Sequence, residues 1–206
     1  MKLSIYYSPM SSATRILFAL EELGVPYEKI KLDLAKGEQK TPEYLALNPN
    51  GKVPLLIADG TPIYESVAIL CFLGETFGVD KGLFPAAGLA RAKAYQWMVW
   101  AGVTMGEVAS RFLRNTIDRF PEEQRNAAAA AVAKQEFAAL VAILEGALAN
   151  TNYLLGNEFT FADLPAFGYC SFGARLGALE LASYPRVNAW VTRCSARPAL
   201  LRAQSM

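Results

Sequence analysis

The first 78 residues alternate short period-two stretches with helix-length apolar stripes, and the rest of the chain reads almost wholly at helical period. "KLSIYY" (2–7) alternates and is rich in β-formers, which predicts a first strand. A helix is expected from Ser11 or Ser12 to Leu23, because Ile16, Leu20 and Leu23 recur on one face and Gly24 supplies the stop. "YEKIKLDL" alternates again and predicts a second strand. "TPEYLALNP" predicts a short helix with Thr41 as cap, Pro42 at the first helical position and Pro49 past the end. In "VPLLIADGTPIYES" the Asp59-Gly60 pair is the dipeptide a tight two-residue hairpin turn demands. Ser66 then stands where a cap is expected for an apolar helix running to about Phe77. The expected order is β-α-β-α-β-β-α, a mixed sheet covered by helices.

Beyond "GVDKGLFPAAG" strand signals nearly vanish. Two long helices are expected over 87–119 and 122–149, the second alanine-rich with Phe137, Leu140, Val141 and Leu144 as its buried stripe. "FTFADLPAFGY" opens another helix, with Thr160 and Asp163 at capping-box spacing, and "YPRVNAWVTRCSARPAL" gives one or two more. The expected organisation is an α/β domain over 1–78, a Gly/Pro-bearing linker over 79–88 and an all-helical domain over 89–206.

Composition narrows the chemistry. The chain of 206 residues has net charge +1 and no long basic run, which argues against nucleic acid or an anionic membrane surface as partner. Although 53% of residues are hydrophobic, no uninterrupted apolar run approaches the ~18 that suggest a membrane span, and the opening "MKLSIYYSPM" is too polar for a signal peptide. Cys71, Cys170 and Cys194 are odd in number and widely spaced, as reduced thiols of a cytoplasmic protein would be. Histidine is absent, so a Ser-His-Asp hydrolase and a Cys-His protease are excluded, and so are zinc sites built on imidazole. No metal is expected, and no phosphate-loop or dinucleotide fingerprint occurs. A prominent serine pair in "YYSPMSSATR" is therefore left without a base.

Four segments in order resemble the glutathione transferase family over nearly the whole chain. "SPMSSATR" is similar to the P-x-S-x-A-T-R start of helix 1 in the serine-type phi class, and "NPNGKVPLL" to N-P-x-G-x-V-P. "YESVAI" resembles the E-S-x-A-I segment, and "FTFADLPAF" the capping motif of a core helix in the second domain. The resemblance implies a thioredoxin-like N-terminal domain, glutathione as co-substrate, and a homodimer.

Glutathione carries an ammonium, two carboxylates and a thiol, and the chain offers partners for each. Pro54, if its bond is cis, turns the Val53 N–H and C=O outward to pair with the cysteinyl part as a short antiparallel strand would. Glu65 and Ser66 lie at a strand-to-helix junction, Glu65 for the ammonium and Ser66 with the helix N-terminus for a carboxylate. By resemblance, Gln39, Lys40 and Lys52 hold the glycyl carboxylate and nearby backbone. A serine hydroxyl is a poor base, but it can donate a hydrogen bond to a thiolate already formed. The phi-like register assigns this to Ser11, and an ungapped match to beta-class enzymes sets Ser12 where those carry cysteine; the serine not used is expected to cap helix 1. Arg15, one turn on, either polarises the site or pairs with a carboxylate between the domains. Met10, Met105 and Phe112 are the candidates for an apolar electrophile pocket between the domains. The implied activity is conjugation of glutathione to apolar electrophiles. The alternatives are a glutathione-dependent isomerase, peroxidase or dehalogenase, or a non-catalytic binding or regulatory protein of the same fold.

Overall fold

The computed structural model describes residues 1–118 and 120–205, and among the described residues there are two compact units, one of 1–86 with 197–205 and one within 87–196. In the first unit the strands are β1 (Leu3–Tyr7), β2 (Glu28–Lys31), β3 (Leu55–Ala58) and β4 (Thr61–Tyr64). They lie in the order β2-β1-β3-β4, with β2 parallel to β1 and the other two pairs antiparallel. The helices are α1 (Ala13–Leu23), α2 (Pro42–Leu47) and α3 (Ser66–Leu73), the last continuing as a π-helical turn over Gly74–Gly78. The expected β-α-β-α-β-β-α order is present.

Local chemistry explains each element. Thr41 caps α2 by accepting from the Tyr44 N–H at 3.4 Å, with Pro42 at the first helical position. Asp59 and Gly60 both take positive φ, 46° and 85°, as a primed two-residue hairpin turn requires. In β3 both Leu55 and Leu56 are buried, because helices cover both faces of the sheet. Leu55 joins Leu32, Tyr44 and Val53 in the small core under α2, and Leu56 points to the opposite face. β4 is an edge strand and tolerates Pro62 there.

Residues 197–205 also belong to this unit. Helix α9 (Pro198–Gln204) packs on α1 with Ala199, Leu200 and Ala203 buried. The Arg197 guanidinium grips the Glu22 carboxylate through two nitrogens, at 2.5 and 2.9 Å, and Arg202 reaches Glu21 at 2.7 Å. The helical period of the sequence groups 89–206 together, whereas by packing the helical unit ends at 196.

The second unit holds α4 (Leu89–Trp100), a π-helical turn (Ala101–Met105), α5 (Gly106–Thr116), α6 (Ala127–Ala147), α7 (Asp163–Arg175) and α8 (Pro185–Ser195). Asn126 caps α6 by accepting from the Ala129 N–H at 3.0 Å. Phe137, Val141 and Leu144 of its expected stripe are buried with Ala130 and Ala133, while Leu140 is only half-buried. Helix α6 is long and apolar enough to cross a membrane, and here it packs against α5 and α8. The buried Asp163 ties this unit together. Its carboxylate accepts from the Leu154 and Thr160 N–H groups at 2.9 and 3.1 Å, from the Thr160 hydroxyl at 3.4 Å and from the Trp190 indole at 2.9 Å. Burial pushes its pKa up to about 6 against those four bonds.

Candidate active site

The strand ladder gathers the expected site residues of the first unit at one end of its sheet. Tyr6 pairs with Leu55 and Leu55 with Tyr64, so the next step of the ladder sets the end of β1, Pro54 and Glu65 side by side. The Val53–Pro54 peptide bond is cis. Among the described residues no hydrogen bond uses the Val53 N–H, and the Val53 carbonyl accepts only from Ser12, so an edge of one N–H and one C=O stands ready for an extended peptide.

Two residues the sequence reading passed over hold this edge. The Lys52 carbonyl accepts from the Tyr44 phenol at 2.6 Å and from the Asn48 amide at 2.7 Å. Asn48 is buried and its Oδ1 accepts from the Asn50 N–H, which closes the turn before Gly51. The Asn before Pro49 was the available signal, since a short amide side chain is what a turn of this kind needs. Burial raises the Tyr44 phenol above its ordinary pKa, so it remains a donor at neutral pH.

The 3₁₀ turn Glu38–Lys40 carries two of the expected anion-holding residues. Lys40 donates to the Asn50 carbonyl at 3.3 Å, and the exposed ammonium keeps donors for a further acceptor. Gly51 has φ +56°, and a Cβ there would lie 2.6 Å from Lys40 Nζ and 2.9 Å from the Gln39 carbonyl. Only glycine allows this approach. Gln39 donates to the Leu34 carbonyl at 3.4 Å, while its Oε1 is shielded from water without a hydrogen-bond partner. Lys52 is exposed.

At the β4–α3 junction the structure departs from expectation. Glu65, not Ser66, is the N-cap of α3, and Ser66 is its first helical residue. The reason is backbone shape: Glu65 takes φ 69° and ψ 115°, a region side chains avoid at a cost of about 1–3 kcal/mol. Its carboxylate makes no capping bond and is exposed. Among the described residues no hydrogen bond engages the Ser66 hydroxyl, so hydroxyl and first-turn N–H groups stay available to an anion.

The two serines of the β1–α1 bend have different partners. Ser11 donates to the Ser8 carbonyl at 2.7 Å and accepts from the Ala13 N–H at 3.2 Å. Ser12 is the N-cap of α1 by position but makes no capping bond, and its hydroxyl donates to the Val53 carbonyl at 3.3 Å. Met10 turns the bend with φ 55° and is 74% exposed. Arg15 is buried. In the second unit Met105 is fully buried and Phe112 is 8% exposed. Among the described residues no cluster of three or more His, Cys, Asp or Glu side chains is placed to hold a metal ion.

A mixed four-stranded sheet covered by helices, followed in the chain by an all-helical unit, defines a two-part protein with a thioredoxin-like first domain. The N-terminal domain model of glutathione S-transferase matches residues 1–75 and the C-terminal domain model residues 104–198, and the chain belongs to that family. It is 33% identical over 194 residues to "Glutathione S-transferase GstB" of Escherichia coli, across 92% of this chain and 91% of that protein. It is also 30% identical to "Disulfide-bond oxidoreductase YfcG" of Escherichia coli, across 98% of this chain and 96% of that protein. The crystal structure of the theta class glutathione S-transferase from Xanthomonas axonopodis pv. citri, with glutathione bound, superposes with a TM-score of 0.88. That pair is 32% identical, over 99% of this chain and 97% of the other.

Proposed function

We propose that the protein is a glutathione transferase that binds glutathione along the Val53–Pro54 edge and presents its sulfur as a thiolate to apolar electrophiles. The observation that carries this reading is the unpaired Val53 N–H beside Glu65, Ser66 and a pair of serine hydroxyls, all at one end of the sheet. Pairing with Val53 fixes the cysteinyl backbone, Glu65 takes the ammonium, and Ser66 with the first turn of α3 takes the γ-glutamyl carboxylate. Lys40 takes the glycyl carboxylate, with Gln39 and Lys52 beside it.

Ionisation of the thiol is the chemical task. A free thiol titrates near ~8.5, so at neutral pH only a few per cent is nucleophilic. Lowering that pKa by about two units takes roughly 2.7 kcal/mol of preferential stabilisation of the anion. A charge-assisted hydrogen bond from a serine supplies ~1.5–3 kcal/mol, and the N-terminus of α1 ~0.3–2 more. The thiol proton leaves to water, the sulfur attacks the electrophilic centre, and the leaving group or opened ring carries the negative charge away. Met10 suits the apolar partner, since its side chain is exposed one residue before Ser11.

The reading includes a second copy of the chain as partner. Val99 and Val103 lie exposed one turn apart at the end of α4 and in the turn after it, and Leu89 is exposed at the start of α4. Three free cysteines suit a reducing compartment, and the proposal places the protein in the cytoplasm.

Similarity to a disulfide-bond oxidoreductase favours one second reading, glutathione-dependent disulfide reduction. Here the site has no cysteine, and burial pushes the Cys71 thiol on α3 up to about 11. Glutathione would therefore supply both sulfurs, one molecule attacking the substrate disulfide and a second resolving the mixed disulfide.

Retention on immobilised glutathione and ultraviolet titration of the bound thiol test the main reading. A bound thiol ionised at pH 7, with turnover of an aryl halide, supports it. Failure to bind glutathione overturns it, and turnover of small disulfides but of no electrophile moves the assignment to the second reading.

A further inference from the structure

We infer that a groove in the helical unit, between the loop that follows α6 and helix α8, binds a short α,ω-dicarboxylate. The groove is a cavity of about 250 Å³, open to solvent, and it shares no residue with the glutathione edge of the first unit. Arg186, Ala189 and Arg193 form one wall. They stand at i, i+3 and i+7 of α8 and so share a face, with the Cα atoms of the two arginines about 10.5 Å apart. Leu148, Asn150 and Asn157 face them across the groove, and among the described residues no acidic side chain lines it.

Both guanidinium groups are held in place with donors to spare. Arg193 Nη2 donates to the Asn152 carbonyl at 2.6 Å, and the group lies over the Tyr153 ring, 5.7 Å from its centroid. Among the described residues Arg193 Nη1 makes no hydrogen bond, and Nε is shielded from water without a partner. Arg186 Nη1 reaches the Glu145 carbonyl at 3.5 Å, the outer limit of a hydrogen bond, and the rest of its fork is unengaged. A guanidinium carries five N–H donors, and each of these uses one. Among the described residues neither forms an ion pair. The Glu145 carboxylate accepts from the Arg186 and Val187 N–H groups at 3.1 and 2.9 Å, where the positive end of α8 matches its charge. The Glu145, Gly146 and Ala147 carbonyls that end α6 are paired with Arg186, the Ala149 N–H and the Thr151 hydroxyl, which limits their opposition to an anion.

The spacing selects the ligand. Arg186 is anchored at the last turn of α6 and Arg193 at Asn152, so the two forks serve separate ends of the groove. Each fork matches one carboxylate. Ala189 and Leu148 give the stretch between them an apolar surface for methylene groups. Asn157 Oδ1 already accepts from the Asn152 N–H at 3.3 Å, which leaves its amide N–H groups for the ligand. A single small oxyanion satisfies one fork and strands the other, whereas a dicarboxylate answers both charges. The cavity falls just below the ~300–1,000 Å³ of pockets for drug-sized ligands, which suits a short chain.

The test is isothermal titration calorimetry of the full chain with glutarate, acetate and orthophosphate at equal ionic strength. Glutarate should bind one site per chain, roughly ten- to hundred-fold more tightly than acetate. Arg186→Gln and Arg193→Gln should each bring glutarate down to the acetate level, and Arg193→Lys, which keeps the charge without the fork, should recover only part of the loss. Arg186 is exposed and its own bond is long, so Arg186→Gln should keep the wild-type melting temperature without ligand and decides the matter if Arg193→Gln fails to fold. Glutarate binding no tighter than acetate, or weaker than orthophosphate, overturns the inference. So does glutarate binding that survives both arginine substitutions and is lost in Lys40→Ala, which would put the ligand on the glutathione edge. None of these outcomes touches the transferase reading, which stands or falls on glutathione.

Discussion

Replacing Asp163 with asparagine should destabilise the helical unit by an amount that shrinks as pH rises. The isosteric amide keeps Oδ1 as acceptor for the Leu154 N–H and the Trp190 indole, but Nδ2 cannot accept from the Thr160 N–H. One buried backbone donor is left unpaired, at about 1–3 kcal/mol. The pH dependence belongs to the wild type. Burial raises the Asp163 pKa from 3.8 to about 6, so between those values the folded state binds the proton that the unfolded chain releases. Stability contributed this way is full below pH 3.8 and is lost as pH climbs through 6, by roughly 3 kcal/mol in all. The asparagine protein lacks this titration. The gap between the two proteins should therefore be widest near pH 4 and narrow by up to about 3 kcal/mol at pH 7. Urea unfolding followed by tryptophan fluorescence isolates the effect, because Trp97, Trp100 and Trp190 all lie within residues 87–196. A gap that widens from pH 4 to pH 7 would refute the reasoning, since it would mean that the four donors outweigh desolvation and hold the carboxylate ionised.

Two further perturbations probe the first unit. Gly51→Ala forces a methyl group against Lys40 Nζ at a backbone angle that costs ~1–2 kcal/mol, so steady-state kinetics should show KM for glutathione rising several-fold with kcat little changed. Arg197→Ala leaves Glu22, only 11% exposed, without its two-nitrogen clamp, and chemical denaturation should register a loss of about 2–4 kcal/mol, between the surface and buried limits. Arg202→Ala, at a guanidinium that is 54% exposed, should cost ~1 kcal/mol or less, and equal losses at the two positions would contradict the burial argument.

Features set by neighbours in sequence were legible before the structure. Asp59-Gly60 specified its turn and Thr41-Pro42 its helix start, because each depends on residues a few positions apart. The pairing of Thr160 with Asp163 was readable for the same reason, but not the Trp190 indole that completes it from 27 residues away. Ser66 looked like a cap because serine usually is one. The backbone of Glu65, held in a left-handed region by the strand before it and the helix after it, moved the cap back by one. The partner of Ser12 could not be read at all, since it is a carbonyl 41 residues downstream, whereas those of Ser11 lie two and three residues away. Arg197 and Glu22 are 175 residues apart, and no local pattern announces a pair at that distance.

That last pair has a consequence for how the protein is made. Residues 1–86 leave the ribosome before the helix that covers α1, which begins at Pro198. At about 5–20 residues per second, roughly 5–20 s of synthesis separates the two. Throughout that interval the nascent first unit shows the apolar flank of α1 where Ala199, Leu200 and Ala203 will dock, with Glu21 and Glu22 beside it. The first unit thus completes its fold only after residues 87–196 have been made.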